Sequence, residues 1–204
     1  MKKILFLIGK IDIGGTEKQL YHLIKGLLQK KIYNISIFVS SPRDDNFLDR
    51  NFSDLNINIY YPKNNSKLYK FFLLSKIIIL NKPDIIHSCI FYLNVLVYPT
   101  IFLNNILKIS SIRFQAEDNI INQFNLGSLI KYASKWPDIY IFNNKYSMDI
   151  KSVITSNKYD AKLLFINNGI HHIPLYKKPE FVKNHFTIGY IGRLDKFKNV
   201  EALV

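Results

Sequence analysis

Two glycines stand directly before the first predicted helix and mark a candidate chemical site. Gly14 and Gly15 lie in the segment GKIDIGGTEKQL (9–20), and the residues after them have the apolar spacing of a helix. Glycine lets the backbone approach a ligand closely, and the free N–H groups of a helix start favour phosphate. The spacing matches neither a dinucleotide-binding G-x-G-x-x-G nor a Walker loop. A tight turn without a ligand explains the same glycine pair equally well.

A second candidate site is a pair of cations near the end of the sequence. Arg193 and Lys198 follow a predicted strand and flank the start of a predicted helix in IGRLDKFKN (191–199). Ligands of open parallel sheets bind beyond the carboxyl ends of the strands. There the two cations could converge on one diphosphate, arginine as a fork and lysine as a point charge. Taken alone, two basic residues in a loop more often belong to a solvated surface.

An alternation of strands and helices must position these residues. Apolar runs of strand length recur with helix-period segments between them, at 4–8, 35–40, 57–60, 84–88, 109–113, 138–142 and 163–166. Continuous apolar strands with long crossovers indicate a parallel sheet covered on both faces. We therefore predict an α/β, Rossmann-like, doubly wound domain. Thr16 and Gln19, three residues apart, predict a capping box at the start of the first helix.

The pattern predicts three parts along the chain. Residues 1–166 form the Rossmann-like domain, and residues 167–185, which include Gly169 and two prolines, read as a linker. Residues 186–204 then begin a fresh strand and an unfinished helix. Since a sheet needs roughly three strands or a packing partner for stability, we predict the start of an incomplete second domain. The alternative is that this tail packs on the first domain.

Composition narrows the class of partner. The chain has 204 residues, 48% of them hydrophobic, and a net charge of +13, which favours an anionic partner. Only four of the 28 cations are arginines and the lysines are scattered, so nucleic acid is not the predicted partner. Cys89 is the single cysteine and cannot close an intramolecular disulfide. The histidines show no metal-ligand spacing, and we predict no metal.

Five motifs in order carry a family resemblance: GGTEKQL, PDIIHSCIFYLN (83–94), ISSIR (109–113), INNGIH (166–171) and IGYIGRLDKFKN (188–199). In order and spacing they resemble the family-4 retaining glycosyltransferases of the GT-B fold. The resemblance implies two Rossmann-like domains around a cleft and no metal or other cofactor. It implies a nucleotide-sugar donor bound mainly by the C-terminal domain and an acceptor bound mainly by the N-terminal domain.

The resemblance also implies roles for the two candidate sites. Gly14 and Gly15 correspond to the loop that approaches the donor phosphates and the acceptor. Arg193 and Lys198 correspond to the basic pair that neutralises the leaving diphosphate, where charge develops in the reaction. Residues 168–169 keep the turn of the family's hinge segment.

Two further residues stand at family positions near the cleft. His87 resembles a cleft residue, although a lone histidine beside apolar residues is more often a hydrogen-bonded core residue. Arg113 stands where many members carry a histidine near the reacting sugar carbon, which makes it the candidate catalytic residue. Either it contacts a phosphate or the acceptor, or it forms a structural ion pair with Glu117 or Asp118.

The sequence thus predicts the acceptor-side part of a glycosyltransferase. It would move a sugar, with retention, from a nucleotide sugar to a glycan or lipid-linked acceptor in bacterial surface polysaccharide synthesis, such as capsule or lipopolysaccharide. The family's acidic donor-binding residues lie beyond Val204, so activity of this chain alone stays open. The alternatives are an inactive remnant or half-protein that needs a complementing C-terminal domain, and a basic domain that binds polyanions.

The segment 63–82 bears on localisation. It mixes apolar residues with Lys67, Lys70 and Lys76, which is typical either of a buried crossover helix or of a peripheral contact with an anionic bilayer. No apolar run reaches the roughly 18–20 residues of a membrane span. We therefore expect a cytoplasmic protein, at the inner face of the cell membrane if the bilayer contact is made.

Overall fold

A computed structural model describes residues 1–12, 14–43, 50–113, 134–149, 161–169, 189–191 and 200–203. The chain divides into two compact units, Met1–Gly169 and Ile170–Val204. In the second unit, residues 189–191 form neither strand nor helix, and Val200–Leu203 forms a 3-10 turn. Arg193 and Lys198 lie outside the described residues.

The first unit contains a seven-stranded parallel sheet, which confirms the α/β, Rossmann-like prediction. Each of the seven strands predicted within residues 1–166 is present, with ends that differ from the prediction by at most two residues. The further strand expected in residues 186–204 is not seen at 189–191, and the rest of its predicted span lies outside the described residues. The spatial order is β3-β2-β1-β4-β5-β6-β7, and every neighbouring pair is parallel. The strands are β1 (Lys2–Ile8), β2 (Tyr33–Val39), β3 (Asn58–Tyr60), β4 (Ile85–Ser88), β5 (Leu107–Ile112), β6 (Ile139–Phe142) and β7 (Lys162–Phe165).

Helices cover both faces of this sheet. Within the described ranges they include α1 (Gly15–Gln29), α2 (Arg50–Ser53), α3 (Lys67–Asn81) and α4 (Asn94–Val97), with 3-10 turns at Phe91–Leu93 and Tyr98–Phe102. Because successive strand residues point to opposite faces, β1 contributes to both halves of the core. Ile4, Phe6 and Ile8 pack with Leu20 and Ile24 of α1. On the other face, Leu5 and Leu7 pack with Leu74, Ile77 and Ile78 of α3.

Helix α3 buries only one of its faces. Its start is capped by Ser66, whose hydroxyl accepts a hydrogen bond from the Tyr69 N–H at 3.4 Å. Although apolar residues surround the helix in sequence, only one side contacts the sheet. Four large apolar side chains on α3 remain exposed, namely Leu68, Phe72, Ile79 and Leu80.

One lysine is buried at the start of β5. Lys108 is 3% exposed, and its Nζ donates to the carbonyl oxygens of Leu103 and Ile106, each at 3.0 Å. The Asp138 carboxylate lies 3.7 Å from the same Nζ. The predicted strand begins only at Ile109, so sequence reasoning missed this buried cation.

Candidate functional site

The candidate site lies at the carboxyl edge of the sheet, where the parallel strands end. β1 and β4 are neighbours at the centre, and the chain continues from them to opposite sides of the sheet. Such a switch point leaves a crevice beyond the strand ends, where ligands of open α/β sheets bind. The residues that follow the strands at this edge include Gly9 after β1, Arg113 after β5 and Asn143 after β6.

Tyr92 covers the end of β1. A side chain at Gly9 would collide with the Tyr92 hydroxyl, so this approach requires glycine. Ser40, which follows β2, donates from Oγ to the Gly9 carbonyl oxygen at 3.2 Å. Burial raises the pKa of Tyr92, while a hydrogen bond with the Ser40 side chain acts in the opposite direction. Sequence reasoning did not single out Tyr92, although it lies in the quoted motif at 83–94.

The predicted capping box at the start of α1 is wrong. The helix begins after Gly14, whose backbone is extended (φ −144°, ψ 164°) and which has no side-chain cap. Gln19 instead turns to the backbone of Gly169. In a capping box, the side chains of Thr16 and Gln19 would bond to backbone N–H groups at the helix start. In the structure, the Gln19 amide forms its hydrogen bonds with the Gly169 backbone instead.

A carboxylate already lies at this helix start. A side chain at Gly14 would collide with the Glu17 carboxylate, whereas a side chain at Gly15 would meet open space. An acidic group in the first turn is favourable because it faces the positive end of the helix dipole. A phosphate at Gly14 would therefore have to displace Glu17, while Gly15 leaves room. Phosphate binding by the two glycines stays a prediction.

His87 lies at the end of β4 and is buried. It is 7% exposed, its Nε2 lies 2.8 Å from Ser111 Oγ, and its ring centroid lies 5.3 Å from that of Phe6. Burial, with a smaller contribution from the nearby Arg113 charge, lowers the pKa of His87 to about 3. The imidazole is therefore neutral near pH 7 and acts as a hydrogen-bonding partner rather than a cation.

Arg113 stands at the end of β5 and contacts two asparagines. Its Nη1 donates to Asn168 Oδ1 at 3.3 Å, and Asn143 Nδ2 donates to the Arg113 carbonyl oxygen at 3.5 Å. Its Nε is buried and finds no hydrogen-bond partner among the described residues. Glu117 and Asp118, the alternative partners, lie outside the described residues. The structure thus brings together three chain segments at this edge, and sequence reasoning missed Asn143.

Other chemistries gain no support from this part of the chain. Burial raises the pKa of the Cys89 thiol to about 12, so no thiolate nucleophile is present there at neutral pH. Within the described ranges, no three histidine, cysteine or acidic side chains gather as metal ligands. No helix in these ranges is long and apolar enough to cross a membrane.

Solved structures share this fold. Anabaena HepE in complex with UDP-glucose matches with a TM-score of 0.63 and 17% identity, over 83% of this chain and 44% of that one. The apo form of the lipopolysaccharide outer core galactosyltransferase WaaB matches with a TM-score of 0.61 and 13% identity, over 82% and 46% of the two chains. A putative UDP-N-acetylglucosamine 2-epimerase from Listeria monocytogenes matches with a TM-score of 0.56 and 12% identity, over 80% and 44%.

These likenesses show the fold. No family model matches the sequence, and no curated protein matches it significantly. The chain spans less than half the length of the three solved chains named above.

Proposed function

We propose that this chain is the acceptor-side part of a glycosyltransferase that uses a nucleotide-sugar donor. The observation that supports this most is the fold. The parallel sheet, with its switch point between β1 and β4, resembles that of HepE bound to UDP-glucose and that of the galactosyltransferase WaaB. The five sequence motifs agree with the same class of protein. The acceptor would be a glycan or a lipid-linked glycan, in bacterial surface polysaccharide synthesis.

In this proposal the residues act mainly through charge and position. Arg193 and Lys198 hold the diphosphate as it leaves, and retention of configuration follows from the family resemblance. Arg113 brings a guanidinium to the carboxyl edge, where it can contact a phosphate or the acceptor. His87 is buried and neutral, so its role is to support the neighbouring strand end through Ser111.

This chain spans less than half the length of the HepE and WaaB chains. We therefore propose that donor binding needs a further domain. That domain could belong to the same polypeptide or to a second chain. A supplied C-terminal domain is therefore part of the test.

Donor binding tests the proposal directly. Calorimetry with UDP- and GDP-sugars, with and without a supplied C-terminal domain, should show binding only when that domain is present. The double change Arg193→Glu and Lys198→Glu should then weaken donor binding about 100-fold or more, because two charge-assisted contacts become repulsive. Circular dichroism should show an unchanged fold.

A matched charge control is available on exposed lysines. Lys63→Glu with Lys67→Glu changes the net charge equally and should leave donor affinity unchanged. Affinity that survives the Arg193 and Lys198 reversal would contradict the diphosphate assignment. Conversion of UDP-N-acetylglucosamine to its 2-epimer in the absence of any acceptor would contradict glycosyl transfer and favour the activity for which the similar Listeria monocytogenes chain is named.

We also propose that α3 contacts an anionic bilayer, which would place the protein at the inner face of the cell membrane. Leu68, Phe72 and Ile79 lie on the helix face opposite the buried residues, and each is more than 60% exposed. Lys76 is exposed beside them, and the protein carries a net charge of +13. An exposed apolar stripe with neighbouring lysines fits the boundary between acyl chains and acidic headgroups.

Vesicle binding tests the α3 contact. In Phe72→Asp, the affinity for phosphatidylglycerol vesicles in co-sedimentation should fall about tenfold or more. The change removes one apolar side chain from the contact and adds a negative charge, which the negatively charged headgroups repel. Tyr146→Asp alters another exposed aromatic residue outside α3 and should leave binding unchanged. Binding that is absent, or insensitive to salt and to Phe72→Asp, would remove this contact.

A further inference from the structure

The side chain of Gln19 pairs with the backbone of a residue 150 positions away. Gln19 Nε2 donates to the Gly169 carbonyl oxygen at 2.6 Å, and the Gly169 N–H donates to Gln19 Oε1 at 3.1 Å. One planar amide thus satisfies both backbone groups of Gly169, as a neighbouring strand would. Gly169 is the last residue of the first unit.

The pairing of Gln19 with Gly169 holds residues just beyond the last hydrogen bond of β7 to the sheet. The Ile166 N–H donates to the Phe142 carbonyl oxygen at 2.8 Å, and no backbone–backbone hydrogen bond of residues 167–169 is found within the described part. Residues 166–169 are all exposed, so apolar burial does not fix them either. Among the described residues, side-chain hydrogen bonds from Gln19 and Arg113 are what hold Gly169 and Asn168.

Two consecutive residues of the segment are held from two different elements. Gln19 of α1 holds Gly169, and Arg113, directly after β5, holds Asn168 through a 3.3 Å hydrogen bond. The Arg113 guanidinium therefore depends on the position of Asn168. The position of Asn168 in turn depends on the anchored residue beside it.

We propose that Gln19 is a positioning residue: by anchoring Gly169 it sets the place of Asn168 and, through it, the orientation of the Arg113 guanidinium. The inference rests on the proposed function only in that Arg113 is taken to face the ligand. It also connects the two ends of the candidate site, because Gln19 belongs to the helix that begins beside Gly14.

The side-chain signals of arginine test this directly. The protein has four arginines, and in ¹⁵N-arginine-labelled full chain the Arg113 Nε–Hε signal is assigned by its loss in Arg113→Lys. Gln19→Met removes both hydrogen bonds, and Gln19→Glu sets a carboxylate against the Gly169 carbonyl oxygen. In both variants the Arg113 signal should shift. In Gln19→Met the Gly169 amide should also exchange with solvent at least about tenfold faster, because its hydrogen-bond acceptor is removed, whereas the carboxylate of Gln19→Glu can still accept from that N–H.

Gly169→Ala is the matched control. It keeps both backbone groups, the Gly169 backbone is not in the positive-φ region, and the new methyl would lie 3.9 Å from Gln19 Oε1, an ordinary contact distance. It should therefore leave the Arg113 signal in place. An unmoved Arg113 signal in folded Gln19→Met and Gln19→Glu, or an equal shift in Gly169→Ala, would overturn the proposal. None of these readouts requires donor binding, so they remain informative if the glycosyltransferase proposal fails.

Discussion

Lowering the pH from about 6.5 to about 3 is expected to destabilise the protein by about 4–5 kcal/mol through His87 alone. The folded-state pKa is lowered to about 3 because the imidazole is buried, with the Arg113 charge adding to the effect. In the unfolded chain the pKa is near 6.5. Between these two pKa values the unfolded state binds one more proton than the folded state. Each pH unit of acidification therefore lowers the free energy of unfolding by about 1.4 kcal/mol. The stabilisation is complete above pH 6.5 and is lost as the pH falls toward 3.

Urea unfolding between pH 4 and pH 7 measures this effect. A His87→Gln variant keeps an amide able to reach Ser111 but no longer titrates, so its stability should change less with pH below 6.5. It should also be less stable than the native chain at pH 7, because the ring contact with Phe6 is lost. Ser111→Ala removes the hydrogen-bond partner and leaves His87 buried, so the native pH slope should remain. Equal slopes in the native chain and in His87→Gln would contradict the assignment.

The same burial decides how charge is distributed at the carboxyl edge. A neutral His87 cannot stabilise a developing negative charge as a cation, and it lies within the influence of the Arg113 guanidinium. Arg113 brings a guanidinium cation to the same edge. Of these two side chains, only the Arg113 guanidinium brings a positive charge to this edge, whereas His87 contributes a hydrogen bond with Ser111.

The strands were predictable because their pattern is local. Successive side chains of β1 point to opposite faces of the sheet, and both faces are buried. A continuous apolar run is therefore expected for this strand. The ends of β4 and β5 follow from the same runs, which is why His87 and Arg113 could be placed at the edge from sequence. Predicting that the ends of parallel strands lie at one edge of the sheet requires no knowledge of side-chain partners.

The partners of these side chains could not be predicted in the same way. Gln19 follows Thr16 with the spacing of a capping box, and nothing near it in the sequence points to Gly169, 150 residues away. Tyr92 lies in a 3-10 turn, and its position over Gly9 depends on how that turn packs on β1. Such contacts follow from the packed tertiary structure, because several local alternatives have similar free energies.

Lys108 shows the same limit at the opposite end of β5. A lysine before an apolar run normally marks an exposed strand start, since lysine is almost never fully buried unless paired. Here the ammonium is paired: two carbonyl oxygens and the Asp138 carboxylate surround it. Leu103 and Ile106, which supply those carbonyls, precede the strand by only a few residues, yet the direction of the turn decides whether they reach Lys108.

Replacing Lys108 by methionine is expected to cost about 2–4 kcal/mol of unfolding free energy. Methionine keeps the unbranched stem but leaves the carbonyl oxygens of Leu103 and Ile106 without their donor. Asp138→Asn is the informative comparison: its side chain is 49% exposed, and an amide oxygen can still accept from the Lys108 backbone N–H, so the cost should stay below about 1 kcal/mol. Urea unfolding at pH 7 compares the two variants. A larger loss in Asp138→Asn than in Lys108→Met would mean that the ion pair, rather than the pair of carbonyl hydrogen bonds, is what stabilises the buried lysine.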